Sequence, residues 1–263
     1  MIASFFQSLE DYGVEYLLIS GQATVLYGAA TFSEDIDLWV NLTSENRDRL
    51  LGALRACSAC HYKLTPPLTV EHLQRGHGFH YWLGRDTADE MFLDVMGTPP
   101  RVRGFQDTQQ SARWMDTGWG RLPVVGLRDL VELKKTQRLE DYAIISRLAL
   151  LWFAQPECRQ QPEDFLWAWE NVFTLSELKS FIEQRPAALG HVPSHFPSTV
   201  REFAQQAAAD VEMPDRLEEP ASRWLQSRMA RLQKADRGYW RSIIAELKRF
   251  RSQGLLVPEG QPV

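Results

Sequence analysis

Two aspartates one residue apart, Asp35 and Asp37, stand at the head of the run Ile36–Leu42 (IDLWVNL). That run alternates apolar and polar residues, as a half-buried strand does. A strand repeats every two residues, so both carboxylates fall on one face while Ile36 and Leu38 turn to the other. Ionised carboxylates held side by side repel each other, and keeping them charged is costly without a cation. Hard oxygen donors in such a pair suit Mg2+ or Mn2+. A third carboxylate, Asp94, lies inside the apolar run Met91–Met96 (MFLDVM), where an acid needs a partner. With the two strands side by side, Asp35, Asp37 and Asp94 would make a site for two divalent ions. An Asp-x-Asp pair alone also occurs on solvated strand edges, so the surrounding elements matter.

Val14–Ser20 is a short apolar run that reads as a buried strand, and Gly21 follows at once. Gln22–Tyr27 then reads as a short helix ending near Gly28. A glycine that opens a helix after a strand lets backbone N–H groups approach a phosphate closely. Residues 4–12 have helical apolar spacing, stopped by Gly13. Thr43-Ser44 caps a helix running to about Cys57, with Glu45 in its first turn. Residues 61–85 read as strand, loop and strand. Leu122–Val125 reads as a last edge strand, and Leu127–Phe153 as one long helix. Pro156 and Pro162 mark a boundary, beyond which 163–185, 198–211 and 221–254 read as helices with no strand pattern. The expected architecture is α+β: a mixed sheet flanked by helices over residues 1–153, then a helical C-terminal part over 154–263.

The order strand, glycine turn, helix, Asp-x-Asp strand, Asp-bearing strand resembles the polymerase-β-like nucleotidyltransferase superfamily. The closer resemblance is to the minimal nucleotidyltransferases of the AbiEii toxin type. Their pattern Gly-x-Ala, Tyr/His-Gly, Arg-x-Thr/Ser-x-Asp-x-Asp is met by Gly21 and Ala23, by Tyr27 and Gly28, and by Ser33, Asp35 and Asp37. It continues over Leu133–Asp141 (LKKTQRLED), where such proteins carry a helix with Lys, then Arg, then Asp. The match covers residues 14–150. Three positions depart from it: Thr31 stands for the arginine, Gln22 for a serine or glycine, and Glu140 for a lysine.

The resemblance implies a nucleotidyltransferase fold and metal-assisted transfer of a nucleoside monophosphate from an NTP to an acceptor hydroxyl. Asp35, Asp37 and Asp94 would be the catalytic metal ligands for Mg2+ or Mn2+. Ser20, Gly21, Gln22, Ser33, Lys134, Lys135 and Arg138 would bind the nucleotide. The implied acceptor is RNA, notably the 3′ end of tRNA, in a toxin–antitoxin setting with a cognate antitoxin protein. A protein hydroxyl, a small molecule such as an aminoglycoside, and a non-catalytic nucleotide- or partner-binding module on the same fold are the alternatives.

Other residues carry weaker signals. From spacing alone Lys134, Lys135 and Arg138 form a solvated helix face, and Arg138 and Asp141 are placed to pair at i, i+3. His77 and His80 read as partly exposed strand residues that could also meet an acceptor. Trp152, Trp167 and Trp169 read as core. Cys57-x-x-Cys60 lacks a second half-site for zinc and reads as two thiols at a helix end. With Cys158 it makes three cysteines, which argues against a disulfide framework. Hydrophobic residues at 44% and charged residues at 24% provide for a real core and argue against disorder. Net charge is -5, yet Ala221–Gly254 carries nine Lys/Arg against Asp236 and Glu246, a local basic excess that can meet a polyanion. No secretory leader pattern and no spanning-length apolar run are found, so the expected location is cytoplasmic and off the membrane.

Overall fold

The computed structural model describes residues 2–63, 65–85, 87–88, 90–209 and 213–263. The elements run α1 (Ile2–Asp11), β1 (Tyr16–Ile19), α2 (Ser20–Leu26), β2 (Asp35–Val40), α3 (Ser44–Ala56), β3 (Cys60–His61), α4 (Val70–Gln74), β4 (Gly78–Leu83) and β5 (Met91–Met96). After these come α5 (Phe105–Gln109), β6 (Arg113–Thr117), β7 (Gly120–Val124), α6 (Leu127–Leu133), α7 (Asp141–Leu151), α8 (Pro162–Asn171), α9 (Leu175–Gln184), α10 (Ser198–Ala208) and α11 (Asp215–Ser252). The fold is α+β, with a seven-stranded mixed sheet in the order β3-β4-β5-β2-β1-β7-β6, helices around it and a helical C-terminal region.

The β2–β5 and β1–β7 pairs are parallel, and the other pairs are antiparallel. Alternation along β4 and β5 sets the two faces of the sheet. Phe79, Tyr81 and Leu83, with Met91, Leu93 and Val95, are buried. Gly78, His80 and Trp82, with Phe92, Asp94 and Met96, form a half-exposed face. β1 is buried along its whole length, in keeping with its central place. α3 begins where the sequence indicated, with the Thr43 hydroxyl accepting from the Asn46 N–H at 3.0 Å.

The chain divides into two compact units, Met1–Leu133 with Gly238–Val263, and Lys134–Arg237. The break expected at 153/154 thus lies inside the second unit, and the last segment belongs with the first. In that first unit the C-terminal tail lies along β3. His61 N–H donates to Gln261 O at 2.9 Å, Gly260 N–H to His61 O at 2.7 Å, and Val263 N–H to Ala59 O at 3.1 Å. The tail covers backbone groups that a bare edge would leave unpaired. The second unit has its own core around Phe153, Phe165, Trp169, Phe181, Phe203 and Leu217.

Five of the expected elements differ from the sequence expectation. The helix expected over 127–153 is two helices, α6 and α7, and Lys134, Lys135 and Arg138 lie in the turn between them rather than on a helix. Thr136 explains the break: its hydroxyl donates to Asp141 and accepts from Arg138 N–H at 3.1 Å, local bonds that compete with the helical ladder. β7 is not an edge strand, because it lies between β1 and β6. The edge is β6, whose Trp114 is exposed and whose polar residues hid its period. The span 61–85 contains α4, capped by Thr69, whose hydroxyl accepts from His72 N–H at 3.1 Å; Leu64 lies outside the described residues. Finally, 163–185 is split into α8 and α9, and α11 begins six residues before the expected start, carrying Pro220 inside it. The last two residues of the helix expected over 198–211 lie outside the described residues.

Candidate active site

The site is built where β1 ends beside the head of β2. Ile19 pairs with Asp37 across the antiparallel β1–β2 ladder, so the turn that follows Ile19 lies against Asp35 and Asp37. Ser20 opens α2 with φ +57, a left-handed conformation that is uncommon outside glycine. Gly21 follows because no side chain fits: a Cβ there would lie 2.1 Å from Ser33 Oγ and 2.9 Å from Ser33 Cβ. The Gln22 side-chain amide donates to Ser33 O at 3.0 Å, and the Ser33 hydroxyl donates to Asp35 Oδ1 at 3.2 Å. Ser20, Gly21, Gln22 and Ser33 therefore come together, and two of their side chains are spent on placing Asp35. The Tyr27-Gly28 pair is structural. Tyr27 is buried and donates its hydroxyl to Val125 O at 2.9 Å, and Gly28 turns the chain with φ +82.

β5 lies parallel to β2 with Asp37 opposite Asp94 and Asp35 opposite Phe92. Residues directly opposite in a ladder share a face, so all three aspartates project from one side of the sheet. Each offers a carboxylate oxygen within 4.8 Å of the other two, and all three side chains are partly exposed. An all-carboxylate oxygen set at this spacing fits hard divalent cations, and bridging oxygens suit two ions roughly 3.5–4 Å apart.

β4 brings His80, which the sequence offered only as a partly exposed strand residue that could meet an acceptor. His80 pairs with Asp94 in the β4–β5 ladder, and its Nδ1 lies 2.6 Å from Asp94 Oδ1. With Asp94 ionised, Nδ1–H is the donor in this bond. The imidazole thus fixes the rotamer of one candidate metal ligand, as outer-shell partners of metal-binding carboxylates do. The sequence signal was the alternation Gly78-Phe79-His80-Tyr81-Trp82, which puts His80 on one face, but only the strand pairing shows that Asp94 shares it.

His77 goes elsewhere. It is fully buried, and its Nε2 lies 2.9 Å from Glu246 Oε2 on α11. Lys134, Lys135 and Arg138 belong to the second unit. There Lys134 Nζ lies 3.1 Å from Asp141 Oδ1, with both side chains nearly buried, and Arg138 lies 4.0 Å from Asp141 Oδ2 while largely exposed. Lys134 and Arg138 thus converge on Asp141. Cys57, Cys60 and Cys158 are free thiols. Among the described residues no helix is long and apolar enough to cross a membrane. No protein-family model matches this sequence, and no curated protein matches it.

Proposed function

We propose that this chain is a metal-dependent nucleotidyltransferase of the polymerase-β-like kind, similar to the AbiEii-type toxins. The observation that carries this reading is the convergence of Asp35, Asp37 and Asp94 within 4.8 Å on adjacent parallel strands. Asp35 and Asp37 would hold both Mg2+ or Mn2+ ions, and Asp94 the second. Bound there, the ions supply charge neutralisation for a triphosphate and for the displacement at its α-phosphorus. The acceptor oxygen forms a bond to the α-phosphorus as the bond to the β-phosphate bridging oxygen breaks. Pyrophosphate leaves with that electron pair, and Asp94 takes the acceptor proton. His80 keeps Asp94 oriented for this task through Nδ1. Backbone N–H groups at Ser20–Gln22, beside Asp35, are the groups to receive phosphate oxygens. Lys134, Lys135 and Arg138 are the cations that the family motif assigns to the nucleotide, and Lys134 also answers to Asp141.

In this reading the acceptor is RNA, the 3′ end of tRNA by resemblance, and the setting is a cytoplasmic toxin with a protein antitoxin. A second reading, a non-catalytic nucleotide- or partner-binding module, is favoured by Thr31, which is exposed where the family arginine stands, and by Gln22, whose amide is already bonded. Incubation of the protein with each α-labelled NTP, total RNA and Mn2+ separates the two. Label in RNA with stoichiometric pyrophosphate supports the enzyme. Nucleotide binding with no pyrophosphate from any NTP supports the module.

A further inference from the structure

The half-exposed face that carries the aspartates continues into three aromatic rings. Phe92 is opposite Asp35 in the β2–β5 ladder, and Trp82 is opposite Phe92 in the β4–β5 ladder. Tyr62 follows β3, and its N–H donates to His80 O at 2.9 Å. Ring centroids lie 4.5 Å apart for Tyr62 and Phe92, 4.7 Å for Tyr62 and Trp82, and 6.0 Å for Trp82 and Phe92. None of the three is fully buried. Two exposed cations attend them: Lys63 Nζ lies 4.8 Å from the Tyr62 centroid and Arg85 Cζ 4.9 Å from that of Trp82. The Trp82 indole N–H is withdrawn from water and has no hydrogen-bond partner among the described residues.

We infer that Tyr62, Trp82 and Phe92 form a stacking shelf for unpaired bases of a polynucleotide acceptor, an inference that rests on the nucleotidyltransferase reading above. Aromatic rings interleaved with cations are what single-stranded nucleic acid requires, because every base has a π-face and every linkage a charge. A base entering the shelf displaces Lys63 and Arg85 from the ring faces and leaves them beside its phosphates. A polycationic acceptor such as an aminoglycoside fits this surface badly, since it would meet Lys63 and Arg85 and offer no aromatic face. The position of the shelf assigns it to the acceptor rather than to the NTP. In the sheet order, the Ser20–Gln22 turn lies on the β1 side of the aspartates and the shelf on the β5, β4 and β3 side. In-line displacement needs the incoming oxygen and the departing pyrophosphate on opposite sides of phosphorus. With phosphate at the turn, the acceptor comes from the shelf side, where Asp94 and His80 stand.

The test uses the full chain and a 5′-fluorescein single-stranded RNA 12-mer, read by anisotropy in EDTA so that no turnover occurs. Mn2+-dependent pyrophosphate release is measured separately on the same preparations. W82A and Y62A are each expected to weaken RNA binding about tenfold, W82F to retain most of it, and a blunt hairpin to bind worse than the single strand. Equal RNA affinity in wild type, W82A and Y62A overturns the shelf. So does a W82A that loses affinity for the NTP alone. Should W82A melt early, the exposed pair K63E/R85E replaces it. Loss of RNA binding at an unchanged melting temperature supports the shelf, and unchanged binding overturns it. Shelf-dependent RNA binding without pyrophosphate release would support the RNA site while sinking the enzymatic reading. Pyrophosphate release with identical RNA affinities would do the reverse.

Discussion

Asp37 and Asp94 face each other across the parallel β2–β5 pair, and His80 on β4 donates to Asp94 from the far side. Three adjacent strands thus each contribute one side chain to a single line across the sheet. The consequences of changing each of them differ by residue.

Asp37→Asn removes a charge and keeps the volume. Transfer should therefore fall to background while the fold persists. Mn2+ at 100 times its Kd should stabilise the wild type by about 2.7 kcal/mol. The variant should gain little. A wild-type thermal shift in Asp37→Asn would remove Asp37 from the metal site.

His80 acts through Asp94, so its loss should act on the metal and on turnover rather than on the NTP. His80→Ala is expected to weaken Mn2+ binding or kcat by about 10- to 100-fold with KM for the NTP unchanged. His80→Asn keeps a donor near the Nδ1 position and should recover part of the loss. Titration of Mn2+ by electron paramagnetic resonance, run beside the kinetics, checks both. Equal defects in Ala and Asn variants would show that the hydrogen bond is not what matters.

Gly21 is held to its identity by Ser33. Gly21→Ala places a methyl 2.1 Å from Ser33 Oγ and must push away the residue that bonds Asp35. Overpacking of this kind costs about 1–3 kcal/mol. Adding Ser33→Gly removes both clashing atoms, and the double variant should recover thermal stability over Gly21→Ala. Additive destabilisation in the pair would point to another cause.

Glu246, near the C-terminal end of α11, is held by His77, Arg75 and Arg249 of its own unit. The hydrogen bond from His77 is the main influence holding its carboxyl below the ordinary value of 4.5, with burial opposing and Arg75 and Arg249 assisting. Arg75 lies 2.6 Å away and Arg249 2.9 Å away. The folded pKa is depressed, so the stabilisation is complete above the unfolded value and is lost as pH falls through the folded one. Wild type should therefore be more stable than Glu246→Gln at pH 7, and the gap should close below about pH 4.5. Melting curves of the two proteins from pH 3 to 7 read this directly. A gap independent of pH would deny the linkage.

The sequence displayed what depends on local period. Asp35, Asp37 and Asp94 were legible because Ile36, Leu38, Leu93 and Val95 declare the strands and the buried face. What depends on pairing was not. His80 and Asp94 are 14 residues apart, and no spacing rule joins them; nor does one join Tyr62, Trp82 and Phe92. The turn at 134–140 was hidden because Lys, Gln, Arg, Leu and Glu are all good helix formers, and the Thr136–Asp141 bond outweighs that propensity. Burial of charge was equally invisible, and Arg228 is the case that shows it.

Arg228 counts toward the basic run 221–254, yet it is buried, with its guanidinium among the rings of Phe173, Phe196 and Trp224. It donates to Trp169 O and Val172 O at 3.3 Å and pairs with Glu170 at 3.1 Å, which serves the carbonyl end of α8. Burial lowers its pKa to about 10, with Glu170 opposing that shift and Arg231 adding to it. Arg223 is paired with Glu219 and Arg249 with Glu246. The cations left for a polyanion include Arg231, Lys234 and Arg241, all exposed on α11. Reversal of these three to Glu should weaken tRNA binding, flatten its salt dependence by counterion release, and leave melting nearly unchanged. NTP binding should also be unchanged, since the triphosphate is assigned to other groups. Arg228→Ala should do the opposite: lower the melting temperature by breaking a buried charge network, and alter the salt slope little where the protein is still folded. Filter binding of tRNA at several salt concentrations, with melting curves for each variant, separates the two classes. Equal affinity and equal slope in wild type and the triple variant would make the basic run a solvated helix face and nothing more.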